Sequence, residues 1–264
     1  MADPLAQLYG RHAVSVYRIA GDRLFACEVD TMLIGRAFVP SYTEGDNSMV
    51  VATDSMKNFV HRTALEFDGD ALEDFLFELG SRFLSRYEHV DSVDMHGEEV
   101  TFGKKDGVLF QRLYDDRAYA DVAVARNGTR YEWSGRKGLH LIKLSGSSFA
   151  GFVRDEYTTL PDTYDRPLFI HLDVQWINSD PARRAPGEEV RELVMETFAS
   201  FESASIQHLV HEMGVRALER FTEIGSISFR AENRLWDKAV EDEGAVVYTE
   251  ARPPFGVIDL TLRR

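Results

Sequence analysis

An internal repeat constrains this chain more than any other feature. Laid on 209–229, residues 75–95 match at Glu78, Gly80, Arg82, Leu84, Arg86 and Ser92, against Glu212, Gly214, Arg216, Leu218, Arg220 and Ser226. Six identities in 21 ungapped positions stand well above chance, and the offset of 134 residues is close to half of 264. Self-similarity at such a period marks one supersecondary unit used twice, so the chain is expected to hold two modules, 1–134 and 135–264.

Hydrophobic periodicity says what each module contains. Arg11 to Ala20 largely alternates apolar and polar residues, as a half-buried strand does. Gly21-Asp22 is a turn signal, and a second strand is expected over 23–38. After the polar stretch Ser41 to Ser48, Thr53-Asp54-Ser55 offers N-cap oxygens for a helix ending near Phe67. Asp68-Gly69-Asp70 breaks it, an amphipathic helix covers about 71–87, and strands are expected over 90–103 and 107–125. The second half repeats this order: strands over 137–145 and 167–177, helices over 187–201 and 204–222, strands over 224–236 and 245–262. The fold class is therefore α+β, two tandem ββααββ modules, each an antiparallel sheet with both helices on one face. The opposite sheet face and the open edges call for other subunits, which predicts an oligomeric barrel.

Composition narrows the function. The net charge of −14 and the lack of any basic run longer than a pair argue against nucleic acid as a partner. No apolar run approaches the length of a membrane span, and the start, Met1-Ala-Asp-Pro-Leu5, has no signal-peptide character. Cys27 is the only cysteine, which fits a reducing cytoplasm and excludes an internal disulfide or a Cys-x-x-Cys pair. No dinucleotide, P-loop or nucleophile-elbow motif is present. His208, His211 and Glu212 share a helix face, but their order is not that of a zinc protease, and they are expected to be surface or packing residues. No metal and no cofactor is indicated.

Several blocks together resemble the urate oxidase (uricase) family: Tyr9-Gly10-Arg11, Ser41 to Ser48 and Val51 to Asn58; then Lys143 to Leu160 with Asp165-Arg166; and Ala204 to Gln207, Asn233 and Arg252 to Ile258. The Gly-Phe-x-Arg-Asp-x-Tyr-Thr-Thr-Leu run within them is far more specific than a short nucleotide loop. The resemblance implies two T-fold modules per chain, a homotetramer around a tunnel, and sites shared between subunits. It implies cofactor-independent oxidation of urate by dioxygen to 5-hydroxyisourate and hydrogen peroxide.

The resemblance also assigns residues. Phe149, Arg166, Ile206, Gln207 and Asn233 would come from one chain, and Arg11, Thr53 and Asp54 from its neighbour. Phe149 would stack on a flat purine, Arg166 would fork onto an anionic base, and Gln207 would match an N–H beside a C=O. Ile206 and Asp54 would offer backbone N–H groups, Asn233 would hold the oxygen or water above the ring, and Thr53 would relay a proton.

Two positions depart from the family. Arg11 stands where uricases place a lysine, and Leu235 where they place a histidine. Arginine keeps its proton at any working pH and cannot serve as a base, and Leu235 moves no proton. A fixed charge at Arg11 can still favour a substrate anion and a nearby peroxide. The alternatives are a uricase-like oxygenase for another heterocycle and a purine-binding protein without catalysis.

Overall fold

The structure, a computed structural model, describes residues 8–106 and 108–264; Met1 to Leu5, the segment expected to be no signal peptide, lie outside the described residues. Contacts divide the chain into two compact units, one ending at Ser134 and the other running Gly135–Arg264.

In the first unit, β1 (Leu8–Ala20) and β2 (Arg23–Ile34) form an antiparallel hairpin closed at Gly21-Asp22. The strand expected over 23–38 stops at Ile34. Arg36–Phe38 make a 3-10 turn and Val39–Thr43 a short helix, α1, with proline in its first turn, where the missing N–H has no partner to lose. Then come α2 (Thr53–Glu66), α3 (Leu72–Arg86), β3 (Ser92–Glu99), the hairpin β4 (Phe102–Asp106) and β5 (Leu109–Arg112), β6 (Arg117–Ala125), and the start of β7 (Arg130–Lys143). The strand expected over 107–125 is two pieces, because Asp115-Asp116 suits a bend better than a ladder. The sheet order is β1-β2-β3-β6, antiparallel throughout, and β4–β5 stand outside it.

Alternation buries one face of this sheet. Val29 and Leu33 of β2, Val93 and Met95 of β3, and Val122 and Val124 of β6 meet Met56 and Val60 of α2 and Phe75, Leu76, Leu79 and Phe83 of α3. The α3 set recurs at helical spacing, which gives that helix its single apolar stripe. Cys27 lies in the same core, fully buried, with its thiol pushed up to about 12 by burial.

The second unit repeats the order: β7 from Gly135 on, β8 (Leu168–Asn178), α4 (Gly187–Ser200), α5 (Ile206–Arg220), β9 (Ile224–Asn233), the hairpin β10 (Asp237–Asp242) and β11 (Ala245–Thr249), and β12 (Gly256–Arg263). Its strands lie in the order β7-β8-β9-β12. The strand expected over 224–236 ends at Asn233. The one expected over 245–262 is interrupted at Arg252-Pro253-Pro254, where two residues lack the N–H a ladder needs. Leu172, Val174, Ile227 and Phe229 face Val190 and Val194 of α4 and Leu209, Val210 and Met213 of α5.

The structure gives the repeated residues a physical meaning. Gly80 lets α3 sit so close to its sheet that a Cβ would come within 2.5 Å of Met95 Cε. At Gly214 of α5 a Cβ would reach 3.2 Å from Phe229, the residue 134 positions beyond Met95. Glu78–Arg82 and Glu212–Arg216 are matching ion pairs one helical turn apart, at 2.5 and 2.7 Å.

One device escaped the identity count. Arg126 donates to the carbonyls of Leu84 (2.8 Å), Tyr87 (2.9 Å) and Val90 (3.0 Å), closing the C-terminal end of α3. Arg264 donates to Leu218, to Phe221 at 3.1 Å and to Ile224 at 3.3 Å, the same three places at the C-terminal end of α5. Helix C-termini leave carbonyls without intrahelical donors, and a guanidinium fork satisfies several at once. No helix among the described residues is long and apolar enough to cross a membrane.

Candidate active site

The candidate residues fall into one group in each unit. In the second unit, the long connection from Leu144 to Pro167 is tied down by backbone pairing rather than by regular structure. Phe149 and Thr163 exchange hydrogen bonds of 2.7 and 2.9 Å, the Arg166 N–H donates to Ser147 O at 2.9 Å, and the Gly146 N–H to an Asp165 oxygen at 2.7 Å. Ser148 N–H then reaches Ser203 O at 2.8 Å, which joins this loop to the residues just before α5. Phe149, Arg166 and the N-terminus of α5 thus share one region.

The details suit a flat anion. The Arg166 guanidinium carbon lies 5.9 Å from the centre of the Phe149 ring, and Phe152 stacks on Phe149 at 4.9 Å and 10°. Arg166 is half-buried with no carboxylate partner among the described residues; burial alone pulls its pKa down from the usual arginine range, and its Nε is buried without a hydrogen-bond acceptor among them. Arginine remains charged even so. A buried donor left unpaired costs about 1–3 kcal/mol, so Arg166 gains from any acceptor a ligand brings to it.

Helix α5 adds two free donors. Ser205 occupies the N-cap and its Oγ accepts from His208 N–H at 3.1 Å. The N–H groups of Ile206 and Gln207, in the first turn, have no partner within the helix. Ile206 buries its side chain in the core, 4% exposed, while Gln207 keeps its amide exposed. Asn233 closes β9 opposite Ile170, four residues beyond Arg166, and its Oδ1 is also buried without a partner. Leu235 follows beyond the strand end, 38% exposed.

In the first unit, Arg11 pairs with Thr31 across the hairpin just before a bulge. Ala13, inside that bulge, takes the left-handed φ of 54° and donates its N–H to Asp30 at 2.7 Å, and His12 Nδ1 lies 2.9 Å from the same carboxylate. Thr53 and Asp54 open α2, but the N-cap residue is Ala52 and no side chain caps the helix. The expected capping by Thr53, Asp54 or Ser55 is therefore absent. The exposed Thr53 hydroxyl makes no hydrogen bond to the described residues. Asp54 accepts from Lys57 at 2.6 Å and Asn58 at 3.0 Å. Lys57 chiefly, with help from the Arg11 charge, holds its carboxyl below the usual range.

His208 accepts the Ala204 N–H through Nδ1 at 3.3 Å and stands edge-on to Phe201 at 4.8 Å, a packing role. Among the described residues, no group of three or more His, Cys, Asp or Glu side chains is placed to hold a metal. Sequence reasoning missed Asp30, whose carboxylate fixes the bulge beside Arg11; only the cross-strand register reveals it.

Comparison with known proteins finds similar chains along nearly the whole length. A family model described as Uricase matches residues 9–123 and 133–259. The chain is 37% identical to a uricase of Haloferax volcanii, with 97% of each chain covered. It is 38% identical to the uric acid degradation bifunctional protein of Bacillus subtilis over 90% of this chain, and spans 52%, about half, of that relative's length. The fold is similar to that of a solved urate oxidase from Bacillus sp. TB-90, with a TM-score of 0.91 at 33% identity, covering 98% of this chain and 100% of that one.

Proposed function

Because the chain belongs to the uricase family, we propose that it oxidises urate with dioxygen, without a cofactor, to 5-hydroxyisourate and hydrogen peroxide. The substrate gives two electrons and two protons to dioxygen, which leaves as peroxide, and water then adds at C5. The observation that carries this reading is Arg166, a half-buried guanidinium with an unpaired Nε beside the Phe149 ring and no carboxylate partner among the described residues. Such a group is held in readiness for a planar anion.

Phe149 stacks on the purine, Arg166 forks onto its anionic edge, and Gln207 with the Ile206 N–H matches the remaining C=O and N–H groups. Asn233 holds dioxygen or water over the ring. Thr53 has an uncommitted hydroxyl to pass a proton, and Asp54 a free first-turn N–H. Arg11 supplies fixed positive charge that favours the substrate anion and the peroxide. The groups of the two units meet between copies of the chain in a homotetramer, and the enzyme works in the cytoplasm.

Arg11 and Leu235 favour a second reading, a uricase-like enzyme for a different heterocycle that ionises or oxidises more readily than urate. The test is to mix the purified protein with urate in air and follow loss of urate absorbance together with peroxide. Oxygen-dependent turnover supports urate as the substrate. Urate binding without turnover moves the search to other heterocycles, and gain of turnover in Arg11→Lys plus Leu235→His would locate the cause in those two residues.

A further inference from the structure

The face of the first unit's sheet turned away from α2 and α3 carries a cavity of about 600 Å³, built by residues that alternate with the core positions of β2, β3, β6 and β7. Asp94 lies between the core residues Val93 and Met95 in sequence, so it points the other way, and its cross-strand partners are Met32 and Ala123. The small side chains of Ala123 and Ala125 open the hollow. Met32 and Ile34 wall one side, and Tyr131 and Trp133, whose rings stack at 6.1 Å and 27°, wall the other.

The charges in this cavity are not equivalent. Asp30 is answered by His12 at 2.9 Å and by the Ala13 N–H at 2.7 Å. Asp121 is answered by His96 Nδ1 at 2.7 Å. Asp94 has no hydrogen-bond or ion-pair partner among the described residues; it is exposed, and the partial loss of water around it raises its carboxyl above the usual range. A carboxylate with no counter-charge, open to solvent on one side and set among two aromatic rings and two aliphatic side chains, is complementary to one class of ligand.

We infer that this hollow binds a small organic cation, an ammonium group on an apolar or aromatic body, with Asp94 pairing the charge and Tyr131, Trp133, Met32 and Ile34 enclosing the body. A hard metal ion fits poorly, since it demands several oxygen ligands and the site offers one uncommitted carboxylate. An anion is repelled by Asp30, Asp94 and Asp121. The chain's net charge of −14 draws cations toward the molecule. None of Arg11, Thr53, Phe149 or Arg166 takes part, so this inference does not depend on the identity of the oxidised substrate.

The probe is 2-phenylethylammonium at neutral pH, titrated calorimetrically into the full chain in its native assembly at low salt, beside the uncharged 2-phenylethanol. The expected result is saturable binding at one site per chain, weaker by about tenfold or more for the alcohol, since the charge-assisted contact is lost. Asp94→Asn is expected to weaken ammonium binding by a similar factor, and Ala123→Leu, which fills the hollow, to abolish it, with melting curves showing both variants folded. No saturable ammonium binding overturns the inference, as does equal binding of the alcohol or unchanged binding in both variants.

Discussion

The two units share one scaffold and differ in a single connection that matters most. In the first, the hairpin between β1 and β2 closes with Gly21-Asp22. In the second, the same connection, between β7 and β8, opens into the segment Leu144 to Pro167, and that segment delivers Phe149 and Arg166. Helices, glycine contacts, ion pairs and the carbonyls held by the arginine clamps recur at a constant offset, whereas the loop does not. The scaffold is repeated, and the residues proposed to bind substrate sit largely on one of its turns, so on the proposed function recognition of substrate would fall to the second unit, with the first lending charge and a hydroxyl.

The sharpest way to break this division is to neutralise one arginine at a time. Arg166→Gln is expected to lower kcat/KM for urate by about 10³-fold, roughly 4 kcal/mol of transition-state binding, with little change in melting temperature. Arg11→Gln should act mainly on kcat and by less. A larger loss from Arg11 than from Arg166 in steady-state kinetics would reverse the assignment of the two units.

The clamps test whether the scaffold really is used twice. Arg126→Met and Arg264→Met each strip donors from three carbonyls, so each is expected to cost about 1–3 kcal/mol in denaturant unfolding, and by similar amounts. Very unequal losses would mean the two ends differ despite their shared geometry. The caps should separate the units in the other direction. Ser205→Ala removes the acceptor for His208 N–H at the start of α5 and is expected to cost about 1 kcal/mol and to raise KM, because Ile206 and Gln207 ride on that turn. Ala52→Ser, at the uncapped start of α2, is expected to gain stability by up to about the same amount.

The smallest effect is electrostatic and of opposite sign in the two sheets. His96 is raised by Asp121 first and Glu98 second, so its contribution is complete below the unfolded histidine pKa of about 6.5 and is lost as pH rises through the folded value. His171 is lowered by burial first, then by the stacked His140 and by Arg234. Its contribution is present above the unfolded pKa and is lost as pH falls through the folded one. Melting temperatures at pH 5.5 and 8 should therefore show His96→Gln more harmful in acid, and His171→Gln protective there. Parallel behaviour of the two variants would remove this contrast.

Much of the fold was legible because repetition and periodicity are local signals. Helix boundaries near Phe67 and Arg86 follow from Asp68-Gly69-Asp70 and from the apolar stripe of α3. Strands β5 and β11 are absorbed into longer expected strands, and β10 falls between two of them, because a bend between short β-segments leaves no change of period. The same blindness hid the missing cap of α2: Thr53, Asp54 and Ser55 have the right chemistry, yet the helix begins one residue too early to use it. At the site, Phe149 and Arg166 emerged only through resemblance to a family. What brings them together is a pair of backbone hydrogen bonds between Phe149 and Thr163, which no side-chain pattern announces. Asp94 was equally invisible, since its solitude depends on alanines in a strand that neighbours it only in space.

The placement of Cys27 bears on how long the molecule would survive the chemistry proposed for it. The proposed reaction would bathe the surface in hydrogen peroxide, and thiols are attacked as thiolates. The chain's one sulfhydryl has no solvent-accessible surface and is pushed up to about 12, so at neutral pH it is both screened and protonated. Sulfenic acid formation and intermolecular cross-linking are thereby closed off while the β2 core holds. Labelling by a thiol-reactive dye then becomes a direct clock for unfolding rather than for age.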